Sequence, residues 1–238
     1  MTVREVEFAD RLTSIIRNVV NKTRFHGFEI MSVRRGFSVG NKEVDIACMV
    51  ATGPFIFIEV KRKEKNSSGS KTFSSFDSAV IGQAISYCAL YERSLNQKIP
   101  YFITATPRNY AVFKTPDKLK EFVNLIKAEK REYDKAIKPG KLSKLFAQYL
   151  IKSGELRLRE EFIEGILNEI VKDYLKIHRI KAQLSYAIIS VFTDFVDVIS
   201  IECAPLVIAS ANTDLKNMIN SLETEMAQIL LTAMMTVP

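Results

Sequence analysis

The stretch Phe55-Ile-Phe-Ile-Glu-Val-Lys61 decides the fold. Four bulky apolar residues follow the turn residues Gly53-Pro54 and precede a long polar segment. A short apolar run bounded in this way reads as a buried strand. Strand side chains alternate between faces, so 55, 57, 59 and 61 point one way and 56, 58 and 60 the other. Glu59 and Lys61 therefore share a face at the strand's end. Such a pair is either a strand surfacing into solvent or a site, and the neighbouring strand bears on the choice.

Residues 43–51 (EVDIACMVA) read as that neighbour, with Asp45 on the face of Ala47 and Met49. The two strands are joined closely enough to form a hairpin, and its register sets what Asp45 meets. A two-residue Thr52-Gly53 turn places Asp45 beside Val60. A three-residue loop over 51–53 pairs residue 50 with 54 and so brings Asp45 abreast of Glu59. Three-residue hairpin loops commonly end in a left-handed residue, which Gly53 suits, so the three-residue loop is the expectation. Two adjacent carboxylates repel, and a hard divalent cation with oxygen ligands fits between them, Mg²⁺ first and Mn²⁺ as its substitute. Lys61 on the same edge can orient a metal-bound water and offset developing negative charge.

Working outward, Thr2 to Asn21 reads as a helix. Thr2 and Glu5 suggest a capping box, and apolar residues recur at 8, 9, 12, 15, 16, 19 and 20. Glu5 lies on the core-facing stripe of that helix, either as a capping residue or as a further acid of the site. A strand over 28–35 precedes the hairpin. Residues 61–75, rich in Ser, Gly and Lys, read as a mobile loop, followed by a helix over Phe76–Leu95 capped by Asp77 or Ser75. Strands at 101–105 and 110–114 flank a turn at Pro107-Arg108-Asn109, and a helix covers about 116–128. This αβββαββα order implies an α/β fold, a central mixed sheet flanked by helices, over residues 1–130. Beyond a charged linker, 140–238 is helical in period, with an ambiguous segment at 198–209, and is expected to form an all-helical domain.

Composition narrows the setting. The chain of 238 residues carries a net charge of +7, which suits a polyanionic partner. Its cysteines, Cys48, Cys88 and Cys203, are not at metal-ligand spacing, and their odd number argues against a disulfide framework, so a reducing, cytoplasmic setting is expected. The charged start MTVREVEFADR has no signal-peptide pattern. The apolar region from Ala182 to Ser210 is broken by Asp194, Asp197 and Glu202, so no membrane partner is expected. His26 and His178 stand alone, without the ligand spacing of a zinc site. Tyr101 and Phe102 read as core residues.

Asp45, then Glu59-Val-Lys61 after a gap of 13, resembles the signature of the PD-(D/E)XK nucleases, with Val44 where the family often has proline. Gln83-Ala-Ile-Ser-Tyr87 resembles the Q-x-x-x-Y element of RecB-like nucleases and type I restriction subunits. Its four-residue spacing puts Gln83 and Tyr87 on one helix face. With IPYFITATPRNYAVFK following, residues 1–115 are similar in order to the N-terminal nuclease domain of type I restriction motor subunits. Residues 225–238 resemble the helix entering the methyltransferase part of single-chain restriction–modification proteins, which suggests a fragment of a longer chain.

The resemblance implies a restriction-endonuclease-like fold and Mg²⁺-dependent hydrolysis of DNA phosphodiesters within a restriction–modification system. Asp45, Glu59 and the Val60 carbonyl would hold the metal, and Lys61 would position or activate water. Gln83 and Tyr87 would support Lys61 or the scissile backbone, and Glu5 would complete a further acidic position. Arg62, Lys63, Lys65 and Lys71 in the polar segment, with Arg34, Arg35 and Arg108, are candidate phosphate contacts. A homodimer or a larger restriction complex is the expected assembly, because cutting two strands needs two sites. The chain has no G-x-x-x-x-G-K-[ST] motif, hence no nucleotide-driven motor of that type within it. The alternatives are a catalytically silent nucleic-acid-binding protein on the same fold, a repair or recombination nuclease, and a helical interaction protein.

Overall fold

A computed structural model describes residues 5–61, 64–66, 69–71, 74–177 and 193. The chain divides into two compact units, Met1–Lys172 and Asp173–Pro238. The first unit holds the whole β-sheet.

The element order is α1 (Glu5–Lys22), β1 (Ser32–Val39), β2 (Lys42–Val50), β3 (Gly53–Val60), β4 (Glu64–Asn66), β5 (Gly69–Lys71), α2 (Ser78–Leu95), β6 (Tyr101–Ala105) and β7 (Asn109–Lys114), then α3 (Leu119–Phe122), α4 (Leu125–Glu129), α5 (Lys141–Tyr149) and β8 (Leu150–Glu155). A further helix, α6, covers 160–177. Six strands form one sheet in the order β1-β2-β3-β6-β7-β8. β3 and β6 run parallel, and every other neighbouring pair in this sheet is antiparallel. The α/β class, the mixed sheet and the flanking helices are those expected from the sequence.

β3 lies inside the sheet, which accounts for its composition. A strand covered on both faces must be apolar throughout, and Phe55 to Ile58 are all buried. Ile58 faces α1 and α6, where it lines a small apolar space with Leu12, Ile16, Ile103, Ile163 and Leu167. Phe57 faces α2, in a core with Ala47, Phe102, Phe113, Ile85 and Tyr91. The stripe of α1 buries Phe8, Ala9, Leu12, Ile16, Val19 and Val20, as its period requires.

The joint between β2 and β3 corrects the expected turn. Val50 pairs with Gly53 and Met49 with Pro54, so Ala51 and Thr52 form a two-residue turn, and Gly53 opens the strand with φ +134. The register then shifts at Cys48/Met49: Cys48 pairs with Ile56, Ala47 with Phe57 and Ile46 with Ile58. Phe55 is left without a partner, as in a β-bulge, where two residues on one strand oppose one on the other. Continued by one residue, the shifted ladder sets Asp45 abreast of Glu59. The loop differs from the expectation, and the bulge restores the register that the expectation required.

Other boundaries also move. The first strand begins at Ser32 rather than residue 28, because Phe25 and Phe28 close a turn of their own. The helix expected over 116–128 is two short helices, because Val123 is extended and bridges Ile137. Asn124 then caps α4, its side chain accepting from the Lys127 N–H at 3.3 Å. The segment expected to be a mobile loop contains the two-stranded ribbon β4-β5. The all-helical reading of the chain from residue 140 is corrected at β8, which pairs with β7 at the sheet edge. A half-exposed edge strand following a helix without a turn signal hides its period. The expectations for 198–209 and 225–238, and those for Thr2, Cys203 and His178, lie outside the described residues.

Candidate active site

The site assembles where β2 and β3 end beside α2. Glu59 is at the last turn of the pleat, directed to the α2 face, and its side chain is 2% exposed. Lys61 continues the strand line, its N–H donating to the Ala105 carbonyl at 2.9 Å. Its Nζ stands 2.8 Å from Glu59 Oε1 and 3.6 Å from Glu5 Oε1. Glu5, in the first turn of α1, is thus brought to the same ammonium as Glu59. Asp45 accepts the Val60 N–H at Oδ2, 2.8 Å away. That bond locks the end of β2 onto the strand residue between Glu59 and Lys61. Asp45, Glu59, Val60, Lys61 and Glu5, expected together from the sequence, come together here.

The electrostatics are unbalanced. Burial and the neighbouring Asp45 push the Glu59 carboxyl up to about 8, although Lys61 pulls the other way. Burial disfavours the Lys61 ammonium, but Glu59, Glu5 and Asp45 outweigh it and raise Lys61 above its ordinary value. Neither Glu59 oxygen receives a well-aligned hydrogen bond from the described residues. A buried carboxylate with an ion-pair contact on one oxygen and no hydrogen bond on the other is costly unless something else meets it.

A hard cation would meet the open oxygen. No group of three His, Cys, Asp or Glu side chains gathers at metal-holding distance among the described residues. The groups that could hold such an ion are the Asp45 and Glu59 carboxylates and the Val60 carbonyl. This short, all-oxygen set suits Mg²⁺, which keeps several waters and takes few protein ligands.

Gln83 and Tyr87 lie one turn apart on α2, and Gln83 Nε2 donates to the Tyr87 hydroxyl at 2.9 Å. Burial and the charge of Glu59 raise the Tyr87 phenol, so it stays protonated beside the carboxylates. Tyr133, in the turn after α4, packs edge-on against Tyr87 at 6.0 Å. Gly82 permits this approach: a Cβ there would lie 2.0 Å from the Tyr133 carbonyl oxygen.

The basic residues separate. Arg35 is turned inward, its Nη1 donating to the Asp45 carbonyl at 2.8 Å and its Nε to Asp10 Oδ1 at 3.1 Å. It steadies Asp45, and its side chain remains 25% exposed. Arg34 and Arg108 are exposed. Lys65 and Lys71 fall on β4 and β5, and Arg62 and Lys63 lie outside the described residues. His26 is an exposed turn residue at φ +52, while Tyr101 and Phe102 are core. The sequence reading missed Lys42, Tyr133 and Arg131, which line a cleft with Gln83 and Tyr87. No helix among the described residues is long and apolar enough to cross a membrane.

No family model matches the chain, and no curated protein is similar to it in sequence. Among solved structures, the chain is similar to the type IIG restriction endonuclease BpuSI, at 13% identity and a TM-score of 0.35. The likeness covers 59% of this chain and 16% of that one. It is a loose likeness of fold, and the functional reading rests on the residues at the end of β3.

Proposed function

We propose that the protein is a Mg²⁺-dependent endonuclease that hydrolyses DNA phosphodiester bonds, as part of a restriction–modification system. The observation that carries this reading is the end of the bulged β2-β3 ladder, where Asp45 accepts the Val60 N–H and the neighbouring Glu59 is buried with only the Lys61 ammonium, 2.8 Å away, to meet it.

Asp45, Glu59 and the Val60 carbonyl would hold the cation. When bound, Mg²⁺ or Mn²⁺ supplies Lewis acidity at a phosphoryl oxygen and a water of lowered pKa. Glu59 would hold the cation in its ionised form, which the ammonium of Lys61 favours. Lys61 orients the attacking water in line with the leaving oxygen and offsets the charge gathering on the phosphorus centre. Glu5 keeps Lys61 charged and fixes its position from the α1 side. The Gln83–Tyr87 pair holds a neutral hydroxyl next to the carboxylates, where a second anion would be repelled. Arg35 fixes Asp45 from behind. The net charge of +7 supports a polyanionic substrate.

A catalytically silent, nucleic-acid-binding protein on the same fold is the second reading. It gives no reason for the second oxygen of a buried carboxyl to be left without a hydrogen bond. Plasmid cleavage separates the two. Nicking or linearisation in Mg²⁺, stopped by EDTA and by Lys61→Met, supports the nuclease. DNA binding without cleavage in either Mg²⁺ or Mn²⁺ supports the silent protein.

A further inference from the structure

A cleft of about 460 Å³ opens on the α2 face, walled by the β1-β2 hairpin, α2 and the turn after α4. Tyr87 is common to this cleft and to the carboxylate site, since it lines the one and feels the charge of Glu59 in the other. Three features of its wall have no role in holding a cation.

The first is Lys42, at the start of β2, which is 7% exposed. Its Nζ donates to the Glu129 carbonyl at 2.8 Å, and no ion pair with a carboxylate accompanies that bond among the described residues. The second is Arg131, an exposed arginine held in the left-handed region at φ +61, a conformation uncommon for a long side chain. Burial lowers the Lys42 ammonium and the nearby Arg131 lowers it further, while Glu129 offsets part of this, so two mutually repelling cations line one cleft. The acid of the lining, Glu43, has its carboxylate against Gly36, where an added Cβ would stand 2.9 Å from Oε1. An anion between Lys42 and Arg131 would relieve that repulsion. The third is the rest of the lining: the rings of Tyr87 and Tyr133, and the amides of Gln83 and Asn41, which can both donate and accept.

Cations for a phosphate, rings for a base and amides for a base edge describe a nucleotide site. The volume is near the lower end of small-molecule clefts and holds one nucleotide, not a base pair with both its backbones. We propose that this cleft takes one unpaired nucleotide of the DNA strand beside the scissile phosphate. Its phosphate lies between Lys42 and Arg131 and its base against the half-buried ring of Tyr133, at the floor that the buried Tyr87 closes. This rests on reading Asp45, Glu59 and Lys61 as a phosphodiesterase site, and it makes DNA with unpaired nucleotides the favoured substrate.

The test is fluorescence anisotropy of the full chain in EDTA, with a short labelled single strand and with the same sequence as a blunt duplex. The single strand is expected to bind roughly tenfold tighter, the order of one stacked base. Arg131→Gln, at an exposed position that does not threaten folding, removes most of that advantage and changes duplex binding little. Lys118→Gln, which deletes the same charge from an ion pair with Glu121 outside the cleft lining, changes neither. A 2-aminopurine placed in the single strand should be quenched on binding, and less so by Arg131→Gln. Equal affinity for the two DNAs, or equal loss on both in Arg131→Gln, overturns the proposal. Cleavage lost in Asp45→Asn beside an unaltered Arg131→Gln leaves the nuclease reading standing and sinks the cleft. Arg131-dependent binding in a protein that cleaves nothing does the reverse.

Discussion

Lys61 and Lys42 are both largely shielded from water, and they meet opposite surroundings. Lys61 ends β3 among Glu59, Glu5 and Asp45, which raise it despite its burial. Lys42 begins β2 against a carbonyl and beside Arg131, and it is lowered. Burial penalises both ammonium groups, so the sign of each shift comes from the neighbours. One lysine is an internal counter-ion, 2.8 Å from the buried Glu59 carboxylate. The other is bonded to the Glu129 backbone carbonyl at the wall of a cleft, and the Glu129 charge offsets only part of its lowering. On the proposed reading a cation would sit near the first and an anion near the second, and Tyr87 adjoins both regions.

The contrast can be broken most forcefully at Lys61. Lys61→Met and Asp45→Asn are each expected to lower Mg²⁺-dependent cleavage about 10²-fold or more, the scale of removing one group that stabilises developing charge. Initial rates on supercoiled plasmid measure this, and Lys118→Gln, outside both regions, should not reproduce it.

The next effect is on stability. In metal-free protein the folded Glu59 keeps its proton up to about pH 8, whereas the unfolded chain releases it near the ordinary value of 4.5. Between those values the folded state holds more protons, so stability falls as pH rises, by on the order of a few kcal/mol for this group. Its contribution is fully present below pH 4.5 and is lost through pH 8. Thermal melts in EDTA at acidic and mildly alkaline pH check this, and Glu59→Gln should flatten the dependence. Lys61 stays charged across the whole window and adds no slope of its own.

Gly82→Ala probes the wall shared by the two regions. Its Cβ would meet the Tyr133 backbone oxygen at 2.0 Å, so Tyr133 must shift away from Tyr87. An overpacking cost of about 2 kcal/mol is expected in chemical denaturation. The smallest effect is Lys42→Met, which loses one hydrogen bond to Glu129 and relieves a buried charge. A change within about 1 kcal/mol is expected.

The sequence made some of this legible, for physical reasons. A strand buried on both faces must be apolar, so Phe55 to Ile58 declared the centre of the sheet, and strand alternation then placed Glu59 and Lys61 together. The four-residue spacing of Gln83 and Tyr87 sufficed to predict that they share a face, where they hydrogen-bond. The turn was misjudged because glycine propensity describes a local preference, while the bulge at Phe55 answers to packing across β2 and β3. β8 was missed because Leu150 to Glu155 is a short, half-exposed edge with one weakly apolar end. The cleft was not legible, since Lys42, Tyr87 and Arg131 meet only once α4 has folded back onto α2.

The most direct test is a Mn²⁺ titration followed by electron paramagnetic resonance of the free ion, on wild type, Asp45→Asn and Glu59→Gln at mildly alkaline pH. A bound ion in the wild type, weakened about tenfold or more in both variants and unchanged in Lys118→Gln, is the predicted result. Equal binding in all four proteins, or none in any, would contradict the pairing of Asp45 with Glu59 as a cation site.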